Sequence, residues 1–161
     1  MTHFALPAPG STVHRTTARV LPVDTDDRVL LLHGWEPNHP GRTFWFSIGG
    51  GVEVGEDLAL AATRELAEEV GMVVAPKQLG EPLGTYQNAF DWGDFHIVQT
   101  ETYFAVGVDR PEVSLAGLDE IEQATIDSAA WWSPDALDAD GTAASDQLTT
   151  LMRAAVRSLR A

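Results

Sequence analysis

Cysteine is absent from the 161 residues. That excludes disulfides, thiolate metal sites and cysteine nucleophiles together. Positive charge is scarce: 10 Lys+Arg stand against 24 Asp+Glu, for a formal charge of −14. Lys77 is the single lysine and the arginines are scattered. Nucleic acid and anionic membranes both recruit clustered Lys and Arg, so neither is an expected partner. No apolar run approaches the roughly 20 residues of a membrane span. The segment Met1 to Ser11 has no basic start and no apolar stretch behind it, so a signal peptide is not expected and a cytoplasmic location is.

What remains is a globular composition, 44% hydrophobic and 21% charged, in a chain long enough to bury about 70% of its extended surface. Residues 1–14, with Pro7, Pro9 and Gly10, read as a loose lead-in, and 15–161 as a single domain. Ala18 to Val23 and Arg28 to Trp35 are β-rich runs around the turn residues Asp24-Thr25-Asp26-Asp27, a hairpin pattern. Glu36 to Arg42 holds two prolines and reads as a loop. Phe44 to Ile48 is a short strand that ends in Gly49-Gly50-Gly51.

Leu58, Ala62, Leu66 and Val70 recur every four residues and predict a helix over 57–70, with Gly71 at its C-cap. Strands are expected over 80–87 and 96–108, with 90–95 as the turn between them. Glu120 to Thr125 reads as a short helix or an ordered loop, and Ala129 to Trp132 as a strand. Ser133-Pro134 starts a short helix. A last helix covers 146–160, with Leu148, Leu151, Met152, Ala155 and Leu159 on one side. Helices therefore flank a mixed sheet, an α/β sandwich.

Most of the acid excess is solvated surface, but one set is placed differently. Glu65, Glu68 and Glu69 fall within an arc of roughly 100° on the helix. Three carboxylates on one face repel one another and bind protons more tightly unless a cation intervenes. A hard divalent ion such as Mg²⁺ or Mn²⁺ takes oxygen ligands and relieves that repulsion. The preceding glycines let backbone approach a ligand closely.

The whole segment runs Gly50-x5-Glu56-x7-Arg64-Glu65-Leu66-x-Glu68-Glu69-x-Gly71-Met72. At ordinary residue usage its seven Gly, Glu and Arg positions match by chance on the order of 10⁻⁸ per start point. Over residues 50–72 it resembles the Nudix box, and the likeness extends across roughly 15–140. The resemblance implies a Nudix-type α/β/α sandwich. It also implies hydrolysis of a nucleoside diphosphate linked to another group, by metal-assisted attack of water on phosphorus. Carried over, Glu65 and Glu69 are the principal metal ligands, Glu68 a further ligand often through water, and the Gly49 carbonyl another. Arg64 pairs with acids, Glu56 and Glu65 being expected, and orients them. The general base is left open among Glu65, Glu101, Glu120 and Glu122, while Asp91 and Asp94 read as solvated turn residues. Ile48 departs from the proline common before the glycines, and a local loop adjustment is expected from it.

Signatures of subfamilies narrow little. The NADH pyrophosphatase string and the extra upstream motif of the coenzyme A enzymes are absent. Tyr86 and Gln87 stand where ADP-ribose enzymes tend to have proline, and Tyr86 fits the diadenosine polyphosphate pattern loosely. Isopentenyl diphosphate isomerases need a cysteine, and RNA-decapping relatives need a basic groove. Tyr86, Trp45 and Phe90 are the leading stacking residues for a substrate base, with Trp35, Phe44, Trp92 and Phe95 also available. On a strand, Trp131 and Trp132 should place one ring on each sheet face. His33, His39 and His96 read as structural or surface groups. The rival expectation is a Nudix-fold sensor that binds nucleotide without turnover. Many Nudix domains are homodimers, which the resemblance offers as an assembly here.

Overall fold

The computed structural model describes residues 7–161; residues 1–6 of the expected lead-in lie outside the described part. The sheet has seven strands: β1 (Thr12–Val23), β2 (Val29–Glu36), β3 (His39–Phe46), β4 (Ile48–Gly51), β5 (Gly84–Trp92), β6 (Phe95–Gly107) and β7 (Ile126–Trp132). Helix α1 spans Leu58–Val70, α2 Glu120–Thr125, α3 Pro134–Asp140 and α4 Asp146–Arg160, with a 3₁₀ turn at Pro76–Leu79.

β1 is the spine. It pairs in parallel with β6 along its whole length, from Thr12↔His96 to Val23↔Gly107, and antiparallel with β4 from Thr17↔Gly51 to Val20↔Ile48. β5 closes the β6 side through a hairpin. β2 touches β1 only at Val23↔Val29, then carries β3 and β7 as its own antiparallel partners. The sheet therefore splits into two wings that diverge from the Asp24–Arg28 turn. That turn is held by the buried Asp24 carboxylate, which accepts from the backbone N–H groups of Asp26 and Arg28, each at 2.9 Å.

Side-chain alternation along β1 sorts the core into two layers. Ala18 and Val20 face α1, together with Leu30, Leu32, Ile48, Phe104 and Val106. Leu21 and Val23 face α4, together with Val29, Leu31, Tyr103 and Ala105. Trp131 packs in the first layer and Trp132 in the second, as the doublet implies. The α/β/α sandwich with a mixed sheet is observed. Gly71, with φ at 73°, ends α1 in the left-handed conformation, and its N–H bonds the Ala67 carbonyl.

Four local readings are corrected. Thr12, Val13 and His14, placed in the lead-in, already pair with His96, Ile97 and Val98. The proposed loop 36–42 is a tight hairpin, because β3 is an edge strand on which Pro40 gives up no ladder bond that the sheet needs. The turn expected over 90–95 shrinks to Gly93-Asp94, which puts Phe90 on β5 opposite Ile97. The single strand expected over Phe44 to Ile48 divides at Ser47: Phe44 to Phe46 end β3, and Ile48 opens β4, which runs on through the glycines because they let it lie close against β1.

Candidate active site

The site is built where α1 meets β4. A Cβ on Gly50 would come within 2.6 Å of the Glu65 carboxyl carbon. Only glycine there lets Glu65 lie flat on the strand. One turn on, Glu69 is 2% exposed and its Oε1 accepts the Gly49 N–H at 2.8 Å. Burial pushes the Glu69 carboxyl well above its usual range, against the opposing charge of Arg19, with Glu65 and Glu122 adding to the rise. Burial also raises Glu65, although Arg64 pulls the other way.

Arg64 is the organising cation. Its Nε and Nη2 donate to the two Glu56 oxygens at 2.8 and 2.9 Å, and Nη2 also reaches the Gly51 carbonyl at 2.9 Å. Nη1 donates to Glu65 Oε1 at 2.9 Å and to Glu68 Oε2 at 3.4 Å. The fork geometry of a guanidinium suits this arrangement. The Glu56 hydrogen bonds hold Arg64 charged far above any working pH, and Arg64 keeps Glu56 below the usual carboxylate range. Glu68 faces outward, its side chain 55% exposed.

Glu122 comes to the same place from α2. It forms a capping box with Asp119: its N–H donates to Asp119 Oδ1 at 2.8 Å, and its Oε1 accepts the Asp119 N–H at 3.1 Å. Burial, with the Asp119 and Glu65 charges added, pushes its carboxyl up to about 7. Glu120, by contrast, is exposed and lies in the first turn of α2.

Glu101 lies on the other face of the wing, opposite Thr17 on β1 and Tyr86 on β5. It is 8% exposed and accepts from Gln99 Nε2 at 2.6 Å and Tyr103 Oη at 3.0 Å. Of the aromatics, Tyr86 and Phe90 share the Glu101 face, and Tyr86 meets Tyr103 edge-on with ring centroids 6.0 Å apart. Trp45 sits on β3 across the cleft, 4.7 Å from His33 and 5.3 Å from Trp132 between ring centroids. Its backbone pairs with Thr142 and Ala144. His33 bonds Asp127 at 2.6 Å and His96 bonds Asp91 at 2.9 Å. A separate cavity of about 600 Å³ lies between the β2–β3 and β5–β6 hairpin tips, which Asn38 and Glu36 tie to Gly93, and it contains none of the box acids.

Sequence reading finds the second half of β1 but not its first half or the arginines it carries. Arg15, Thr17 and Arg19 alternate onto the face of β1 that Glu101 shares on β6. Arg19 donates to the Ser47 hydroxyl at 3.0 Å and to the Ser47 carbonyl at 2.5 Å. Arg15 is exposed and feels the charges of both Glu65 and Glu101. Two arginines two pleats apart were a visible signal in a chain with only 10 basic residues.

Among the described residues no three acid or histidine side chains already converge as a cation cage. Glu65 is turned onto Arg64 and Glu69 onto the Gly49 N–H. The donor set still fits a hard divalent ion. It is all oxygen, and burial makes Glu65 and Glu69 hold their protons more tightly than usual, against the pull of Arg64 and Arg19.

The family model described as the NUDIX domain matches residues 13–152. This chain belongs to the NUDIX family. Its enzyme class is Nudix hydrolase. A MutT protein from Methanosarcina mazei Go1 is 19% identical, with 98% of this chain and 100% of that one covered and a TM-score of 0.65. An Ap4A hydrolase from C. elegans, solved as a binary complex, is 19% identical, with 91% and 98% covered and a TM-score of 0.60. The NUDIX domain of Shewanella oneidensis NrtR, complexed with ADP ribose, is also 19% identical, with 91% and 89% covered and a TM-score of 0.61. At these identities the likeness is one of fold. No curated protein matches the sequence.

Proposed function

We propose that this Nudix hydrolase cleaves a pyrophosphate bond in a nucleoside diphosphate linked to another moiety, with Mg²⁺ or Mn²⁺ as cofactor. The observation that carries the reading is the pair Glu65 and Glu69, both set against glycine backbone and both raised by burial. Glu65 and Glu69 hold the metal, Glu68 completes the set from its exposed side, and the Gly49 carbonyl adds a backbone oxygen. When bound, the ion offsets phosphate charge and polarises the attacked phosphorus.

The remaining steps belong to the chain. Arg64 fixes Glu65 and Glu56 so that the acids need no reordering when substrate arrives. Arg15, exposed beside Glu65, offers a guanidinium to non-bridging phosphate oxygens. Glu122 takes the proton of the attacking water. Its carboxyl is pushed up to about 7, where a general base works at neutral pH. Tyr86, Phe90 and Trp45 supply the apolar walls for the nucleoside.

A panel of nucleoside di- and triphosphates, nucleotide sugars and dinucleoside polyphosphates, assayed for released phosphate or pyrophosphate, tests the activity. Turnover should require metal. Silence across the panel, with nucleotide binding still seen by thermal shift, would sink the hydrolase reading and favour the sensor. The role of Glu122 has its own test. A base works when deprotonated, so kcat/KM should rise with pH through the neutral region, and Glu122→Gln should remove that acid limb. An unchanged profile would assign the proton elsewhere.

A further inference from the structure

The cleft face of the β1–β6–β5 wing carries a hydrogen-bonding surface that pyrophosphate chemistry does not use. Its centre is Glu101, whose two oxygens are each braced by one neighbour, Gln99 Nε2 on Oε1 and Tyr103 Oη on Oε2. A carboxylate offers about four acceptor sites, so roughly one on each oxygen remains open. Tyr86, directly opposite on β5, does not cap them. Its hydroxyl lies over Gly84, where a Cβ would come within 2.7 Å of it, so the ring leans along the strand toward Tyr103. Next to Glu101 on β1, the Thr17 hydroxyl is buried without a hydrogen-bond partner. Thr17 is 0% exposed, so its hydroxyl is out of reach of a ligand and the acceptors left on this floor are those of Glu101.

We propose that Glu101 selects the base of the substrate, its two oxygens accepting the adjacent N1–H and 2-amino N–H of a 2-amino-4-oxopyrimidine edge, as in guanine. The edge must present two neighbouring donors, because a braced carboxylate can only accept. Adenine and cytosine offer one donor beside an acceptor, which would face a carboxylate oxygen. Uracil and thymine offer one donor between two carbonyls. Arg15 fixes the direction of the ligand. It lies within reach of the charges of both Glu65 and Glu101, so a nucleotide with its phosphates at Glu65 and its base at Glu101 passes along it. The bracing by Gln99 and Tyr103 makes Glu101 a fixed acceptor, and this takes it out of the general-base candidates.

The proposal rests on the hydrolase reading for where the phosphates lie, but it is tested without turnover. Binding of GMP, IMP and AMP is measured by calorimetry on the full chain in Mg²⁺. IMP differs from GMP only by the missing 2-amino group. The wild type should bind GMP about tenfold or more tightly than IMP and AMP, since a site built for two donors rejects a ligand lacking one. Glu101→Gln should erase the preference for GMP over IMP. Should that variant not fold, Tyr103→Phe, which frees one oxygen, should narrow the preference. Equal affinities in the wild type, a preference that survives Glu101→Gln, or no binding of any mononucleotide would overturn the proposal. A GMP preference in a chain that hydrolyses no pyrophosphate would overturn the hydrolase reading alone. Turnover without base preference would overturn only the role of Glu101.

Discussion

Helix α1 buries Glu69 among its core residues, whereas helix α4 buries Leu148, Thr149, Leu151, Met152 and Ala155 and no charge. The two cover opposite faces of one sheet. α4 ends on Arg157 and Arg160, which suit the negative end of its dipole, while α1 has no basic residue in its last turn. α4 is thus built for stability. α1 keeps an apolar stripe through Ala62, Leu66 and Val70, and beside it carries Glu65 and Glu69, whose carboxyls burial raises. The difference separates a helix that only packs from one that also presents carboxylates.

The largest effect that can test this contrast is on turnover. Glu69→Gln should cut kcat by about two to three orders of magnitude without lowering the melting temperature of the metal-free protein. The sign follows from the raised carboxyl of Glu69. The folded state binds the proton more tightly than the unfolded one, so stability is greatest below the unfolded pKa and declines as pH rises toward the folded value. Glutamine removes that decline and keeps an acceptor for the Gly49 N–H. Melting curves between pH 5 and 8, without metal, read it directly.

On the other helix the outcome reverses. Leu151→Ala, at a site 2% exposed, should cost about 2–5 kcal/mol in denaturant unfolding while the metal dependence of the surviving activity stays as it was. Smaller again is Gly50→Ala. The new Cβ meets the far end of Glu65, which can swing away, so stability should hold while activity drops by up to about a hundredfold from the misplaced ligand.

The smallest effect lies at the hinge between the wings. Burial alone would raise the Asp24 carboxyl, but the Arg28 N–H, Arg110 and the Asp26 N–H outweigh it and hold it below its usual range. Its contribution is therefore complete above the unfolded pKa and is lost as pH falls through the folded one. Arg110→Ala should cost no more than about 1 kcal/mol near neutral pH, because Arg110 is largely exposed. The deficit should fade in acid.

The box region was legible because its spacing is periodic and its glycines mark close backbone approach. The pairing of Arg64 with Glu56 and Glu65, implied by the resemblance to the Nudix box, is present in both contacts. Helix α4 could be read to the residue, since its apolar stripe is long. The β2–β3 hairpin was misread because proline suggests a loop unless the strand is known to be an edge. The role of β1 as the spine was hidden for a different reason. Its pairing with β6 joins residues more than 80 positions apart, and no local pattern announces which distant strand lies alongside. Arg15 and Arg19 are set beside the box acids only through that pairing. Glu122 is one of four base candidates, and its place near Glu65 and Glu69 depends on α2, which no periodic pattern in the sequence ties to α1.

If α1 holds the metal that pyrophosphate hydrolysis needs, turnover must depend on the ion and on Glu69 together. The most direct measurement is the hydrolysis rate of the best panel substrate against Mg²⁺ concentration, for the wild type and for Glu69→Gln. The wild type should rise from no activity to saturation, with the variant at least a hundredfold lower at every metal concentration. Full activity of the variant at saturating metal, or wild-type turnover that ignores metal, would contradict it.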